Sequence, residues 1–191
     1  MANIAKHLAE QERLLAIEYE YEKQEYQQLC QQVGIQRRIR QGKCWYPVMI
    51  GRTFYNALDQ FCLELTCPDS ILQREVKDAR TGELANKDIE FEFEPGRPVS
   101  FFRVASKDDR EKTIFFPYQC QVSRYDGQRL QVTINNVQAA QILREYAMQG
   151  LLGVQLSFDA TTYRVMREAI REVQETSDRK LQHLRSVLIG D

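Results

Sequence analysis

Hydrophobic positions recur every three or four residues at both ends of the chain and every second residue through its middle. The first stripe runs Ile4, Leu8, Leu15, Tyr19, Tyr26, Leu29 and Val33, which places these side chains on one face of a helix from Ile4 to Val33. Gly34 follows and is expected to end that helix in the left-handed conformation. The opposite face carries Glu10, Glu12, Glu18, Glu20, Glu22 and Glu25, the pattern of a solvated surface. Roughly 30 residues of helix span about 45 Å, which exceeds the width of a small β domain. Part of the helix must therefore pack on another helix or on a partner. The second stripe is Val165, Met166, Ala169, Ile170, Val173, Leu181, Leu184 and Leu188, and it predicts a helix from Thr161 to Ile189. Asp159 or Thr161 can cap it, and Gly190 can stop it. Thr176-Ser177-Asp178 interrupts the pattern, as a kink or as a new N-cap. The two stripes suit antiparallel pairing.

Between the helices the period shortens to two. Trp45 to Ile50 opens the strands, with Pro47 expected at an edge or near a strand start because it cannot donate to a ladder. Gln60 to Thr66 and Ile89 to Phe93 alternate cleanly. Pro98 to Val104 and Thr113 to Tyr125 read as further strands. Asp126-Gly127 signals a hairpin, and Arg129 to Asn135 returns from it. Leu151 to Phe158 is a last strand, after helical spacing over Val137 to Gln149. Pro68 to Asp88 is polar and aperiodic, the pattern of a long loop or insertion, and Lys107 to Lys112 reads as a turn tip. Several short strands joined by turns predict a small barrel or sandwich, and closure favours the barrel because it removes exposed edges.

Composition narrows the function classes. With 43% hydrophobic residues the chain can build a core, and its formal net charge of −1 gives no global pull toward nucleic acid or membrane. No apolar run approaches the roughly 20 residues of a membrane span, and Met1 to Glu10 lacks a signal-peptide core. Five irregularly spaced cysteines fit a cytoplasmic protein with free thiols.

Candidate chemistry is sparse. There is no G-x-x-x-x-G-K-[ST], G-x-G-x-x-G or G-x-S-x-G motif. His7 and His183 lie on the long helices, far in sequence from any cysteine. Cys62 and Cys67 are separated by four residues where zinc sites prefer tighter pairs, and Cys30, Cys44 and Cys120 would complete only an irregular set of four ligands, so no metal is expected; no catalytic residue is expected either. Glu90, Glu92 and Glu94 alternate as the wet face of a strand does. The basic run Arg37, Arg38, Arg40 and Lys43 stands out, with Trp45 and Tyr46 directly after it. Cations beside aromatics can hold a single strand through phosphates and stacking. The same cations also suit the C-terminal end of a helix.

Four segments of the chain resemble one family. Asp159-Ala-Thr-Thr-Tyr-Arg-Val-Met-Arg-Glu-Ala-Ile170 resembles the segment before the motor of superfamily 1 helicases related to the nonsense-mediated-decay and immunoglobulin-mu-binding helicases. Leu184-Arg-Ser-Val-Leu-Ile-Gly190 is similar to the run that precedes their first nucleotide-binding motif. Arg38-Ile-Arg-Gln-Gly-Lys-Cys-Trp-Tyr-Pro-Val48 is similar to the entry into their accessory barrel, and Phe93-Glu-Pro-Gly-Arg-Pro-Val99 to a strand start within it. The chain departs from the pattern at Arg97, where an acidic residue is common, and over 68–88 and 137–149, which look like additions.

The resemblance implies an α+β fold, with a small antiparallel β-barrel inserted between two long antiparallel stalk helices. Its parts would be a stalk helix over 1–36, a barrel over 37–158 and a second stalk helix over 159–191. It implies an accessory region of an ATP-dependent DNA or RNA helicase that positions single-stranded nucleic acid and modulates the motor. ATP and Mg would belong to a motor beginning after Asp191, and this chain would not itself be an enzyme. The expected partners are that motor and single-stranded DNA or RNA, without a membrane. Arg37, Arg38, Arg40 and Lys43 are the expected phosphate contacts. Two alternatives stay open: an interaction or self-associating module acting through the helices without nucleic acid, and an enzyme built on the thiols.

Overall fold

A computed structural model describes residues 2–77, 84–107 and 110–189. The fold mixes α and β structure, with six helices and one dominant antiparallel sheet among the described residues. Two compact units are present, one formed by Met1–Gln28 with Phe158–Asp191 and the other by Leu29–Ser157.

The first unit is helical. Helix α1 (Ala2–Gln32) presents Leu8, Leu15 and Tyr19 on its half-buried face, as the stripe predicts. Its end differs from expectation. Gly34 has φ −61° and ψ 154°, so it is extended and serves as the N-cap of the next helix rather than as a left-handed stop. At the far end of the chain α5 (Ala160–Glu175) is capped by Asp159, whose Oδ1 accepts from the Thr162 amide at 3.0 Å. A break at Thr176–Asp178 separates it from α6 (Arg179–Ile189), and Asp178 Oδ1 accepts from the amides of Lys180 and Leu181. That is the new-cap alternative, and it divides the expected single helix in two. Gly190 lies outside the described residues. Glu12 meets Arg171 at 3.4 Å, and Tyr19 packs edge-on against Tyr163 at 5.4 Å. Residue numbers rise along α1 as they fall along α5, so these two helices pair antiparallel.

The second unit is built on the sheet. After α2 (Ile35–Arg40) come β1 (Cys44–Trp45), β2 (Met49–Tyr55) and β3 (Phe61–Thr66). Next are α3 (Asp69–Leu72), β4 (Gln73–Lys77) and β5 (Leu84–Asp88), then β6 (Pro98–Lys107) and β7 (Arg110–Phe115). The unit closes with β8 (Cys120–Tyr125), β9 (Leu130–Ile134), α4 (Val137–Met148) and β10 (Leu152–Leu156). The sheet order is β1-β10-β6-β8-β9-β3-β2, with β7 paired to the far half of β6. Laid flat, this path would separate β1 from β2 by about 29 Å at a strand spacing near 4.8 Å. Only Tyr46, Pro47 and Val48 join them, a reach of about 14 Å. The sheet must curl, and Val48 ties the joining segment to the Leu152 carbonyl at 2.9 Å. No ladder joins β1 to β2 among the described residues, so the architecture is a curled half-barrel rather than the closed barrel expected.

Three local readings are corrected. The expected loop over 68–88 contains α3 and the exposed β4–β5 ribbon, with 78–83 outside the described residues. Ile89 to Phe93 forms no strand. Its burial alternation is nonetheless real, because Phe93 is buried and Phe91 half-buried while Glu90 and Glu92 face out. The segment hangs on single bonds instead of a ladder, from Ile89 N to Leu72 O at 2.8 Å and from Glu92 N to Gly42 O at 3.0 Å. The long run expected over 113–125 is two strands, β7 and β8, with Pro117 in the gap. The expected tip at 107–112 is the β6–β7 hairpin, in which Lys107 faces Arg110; residues 108–109 lie outside the described residues.

Both faces of the sheet's middle are covered. Trp45, Leu63, Phe93, Phe101, Leu130 and Val154 form the main core, lidded by Ala139, Leu143 and Ala147 of α4. Ile35 and Ile39 of α2 cover Cys44, Phe102 and Val104 on the other face. Adjacent residues alternate between the two clusters, as the pleat requires. Strand β10 is therefore buried at every position, Leu152 to Leu156. Gly153 sits opposite Phe102 in the ladder, and any Cβ there would enter the phenyl ring.

Candidate nucleic-acid interface around helix α2

Helix α2 is a short helix of six residues, and its cations divide by position. The spacing Ile35, Arg38, Ile39 places Arg38 on the face that packs against the sheet, and all three are buried. Arg37 and Arg40 lie on the outer face and are exposed, and Lys43 is half-buried. After Arg40 the chain turns through Gly42 at φ 73°, in the left-handed region that favours glycine. A Cβ at Gly42 would also collide with the Glu90 carbonyl. This turn delivers Lys43 to β1, where its carbonyl accepts from Leu156 N at 3.0 Å.

Arg38 cannot reach a phosphate, because it is 1% exposed. Its guanidinium donates from Nη1 to the Gln155 side-chain oxygen and from Nη2 to Thr113 Oγ1 at 2.8 Å. It lies over the Phe102 ring at 5.5 Å, and its Nε has no hydrogen-bond partner among the described residues. Gln155 is itself fully buried and passes the network on, donating from Nε2 to Cys30 Sγ at 3.2 Å. The candidate surface thus comprises Arg37, Arg40 and Lys43, with Arg38 as the buried post that anchors their helix. The spacing with two isoleucines carried that signal. Nothing in the sequence marked Gln155 or Thr113 as its partners.

The aromatic half of the basic run also turns inward. Trp45 is fully buried and Tyr46 stacks on Phe102 at 6.0 Å, so Trp45 offers no face to a base. Exposed Glu90 and Glu92 lie on the segment bonded to Gly42, so acidic groups stand beside the turn that follows α2.

The thiols are set by burial. Cys44 is pushed from an ordinary 9.0 up to about 12 by desolvation, against a smaller opposing pull from Arg38. Burial likewise lifts Cys67 and Cys120 to about 12. These three thiols stay protonated at neutral pH, with roughly a thousandfold less thiolate than an unperturbed cysteine. Cys30 is half-buried. Native alkylation followed by mass spectrometry is expected to label Cys30 well ahead of Cys44, Cys67 and Cys120, with all five cysteines reacting in denaturant. Equal native rates would show that the sheet opens freely. His7 and His183 are both exposed, and among the described residues no group of His, Cys, Asp and Glu could hold a metal ion. No helix among the described residues is long and apolar enough to cross a membrane.

No protein-family model matches the chain, and no curated protein matches it in sequence.

Proposed function

We propose that this chain is an accessory region of an ATP-dependent DNA or RNA helicase of the superfamily 1 type, acting by position rather than by chemistry of its own. The observation that carries the reading is the chain order. A continuous curled-sheet segment, Leu29–Ser157, separates two segments that come together as one helical unit in which α1 pairs antiparallel with α5. That order is the one the resemblance implies for a barrel on a two-helix stalk. In this reading the helices fix the sheet unit relative to a motor that would bind ATP and Mg. The outer face of α2 supplies phosphate contacts, and the chain has no catalytic residue of its own.

The test is fluorescence anisotropy of labelled single-stranded DNA and RNA over a salt series. Replacing Arg37, Arg40 and Lys43 together by glutamine is expected to flatten the log–log salt dependence by about two units, at about 0.7 per lost single-strand phosphate contact. Arg38→Met is expected to leave the slope as it is, because the buried guanidinium touches no phosphate. A triple variant with the parent slope would remove α2 from the interface.

A further inference from the structure

The helical unit is poorly covered. Its only buried residue among the described ones is Tyr163. Leu14, Ile17 and Tyr21 form a second stripe on α1 at spacings of three and four, and they are 46–62% exposed. Leu181, Leu184 and Val187 form a matching stripe on α6 and are 39–65% exposed. An open groove runs between α1 and α5, lined by Leu14, Leu15, Met166, Ala169, Ile170 and Glu18. A groove between two helices is the seat into which the apolar face of a third helix packs.

Charge indicates which helix fits. Helix α1 carries six glutamates against Lys6, Arg13 and Lys23, with Glu18 on the groove itself, while α5 balances three arginines with three glutamates, so the pair of helices is net acidic. Helix α6 carries Arg179, Lys180 and Arg185 and no acid. Two of these cations, Arg179 and Lys180, stand in the first turn of α6, where the helix dipole disfavours positive charge. The arrangement is locally unfavourable and is offset when an acidic surface faces it. Within one chain α6 is held elsewhere, because Arg185 Nη1 donates to the Val173 carbonyl at the end of α5 at 2.9 Å. Its apolar stripe is left facing outward.

We propose that the occupant of the α1–α5 groove is helix α6 of a second copy of this chain. The exchange is reciprocal. Each copy offers the apolar groove beside the net-acidic helix α1, with Glu18 on its wall, and the basic helix α6, so a two-fold axis closes the assembly with both stripes covered. This inference does not rest on the helicase reading, since it uses no residue of the sheet unit.

Analytical ultracentrifugation of the full chain over a concentration series, at low and high salt, tests it. The expected result is a reversible dimer that salt weakens. Leu184→Asp is expected to weaken dimerisation about tenfold or more while helix content by circular dichroism is kept. Two charge-reversed proteins decide the geometry, one with Arg179→Glu and Lys180→Glu, the other with Glu18→Lys and Glu25→Lys. Each alone is expected to be monomeric. Mixed, they are expected to form a heterodimer, because both docked helices regain opposite charge. A wild-type chain that stays monomeric at low salt overturns the proposal. So does a dimer indifferent to Leu184→Asp, or a mixture that stays monomeric while both variants keep the wild-type helix content.

Discussion

Trp45→Ala is expected to destabilise the sheet unit by about 3–5 kcal/mol, the usual cost of emptying a large aromatic site. Trp45 is fully buried on β1, which has only two residues. Its ring meets Phe91 at 5.8 Å, Phe93 at 5.6 Å and Tyr125 at 5.8 Å, each edge-on. Phe91 and Phe93 belong to a segment held by single backbone bonds rather than a ladder, so the indole is a main side-chain anchor of that segment in the core. Removing it empties the site and loosens residues 89–93, which keep their single backbone bonds and the Phe93–Tyr125 contact. Trp45→Phe is expected to lose less, since it keeps an aromatic and deletes an indole N–H that has no partner among the described residues. Urea unfolding followed by far-ultraviolet circular dichroism measures both. A midpoint for Trp45→Ala within error of the parent would show that the aromatic cluster does not hold the unit.

The second large effect concerns Arg38, and its size depends on the replacement. Arg38→Ala is expected to cost about 3 kcal/mol or more, because it leaves a cavity and takes the donor from the buried Gln155 side-chain oxygen and from the Thr113 hydroxyl. Arg38→Met fills most of the same volume without bringing a charge into the core, and is expected to stay within about 1 kcal/mol of the parent. The contrast separates volume from charge. If methionine costs as much as alanine in the same urea experiment, the guanidinium network itself stabilises the unit and the packing argument fails.

Helix and strand periods located most of the elements from sequence. The stripe from Leu8 to Leu29 lies within α1, and Phe61 to Thr66 is β3 as the alternation requires. The hairpin at Asp126-Gly127 was legible because its chemistry is local. Gly127 takes φ 94°, and Asp126 Oδ1 accepts from the amides of Gln128 and Arg129. Those bonds also hold the Asp126 carboxyl below its ordinary range. The misses were non-local. Ile89 to Phe93 alternates like a strand because one side meets the core, but alternation reports burial and says nothing about a partner backbone. The 68–88 stretch looked structureless because β4 and β5 bury little, so their pairing leaves no hydrophobic signature. At the basic run, charge made four cations look equivalent. The position of Arg38 between two isoleucines is what separates it from Arg37 and Arg40.

The pairing of Cys44 with Gln155 has a consequence for how the chain is made. Strand β1 is among the first parts of the sheet unit to be synthesised, and β10, its ladder partner, is the last strand. Until β10 is in place Trp45 and Phe101 lack the ladder that closes over them, and long-range closure of this kind is slow. A nascent or truncated chain ending before Leu152 would therefore carry exposed aromatic surface and an unpaired strand edge, the features that recruit chaperones or drive aggregation. Any shortened version of this protein that is to remain folded must retain residues through Leu156.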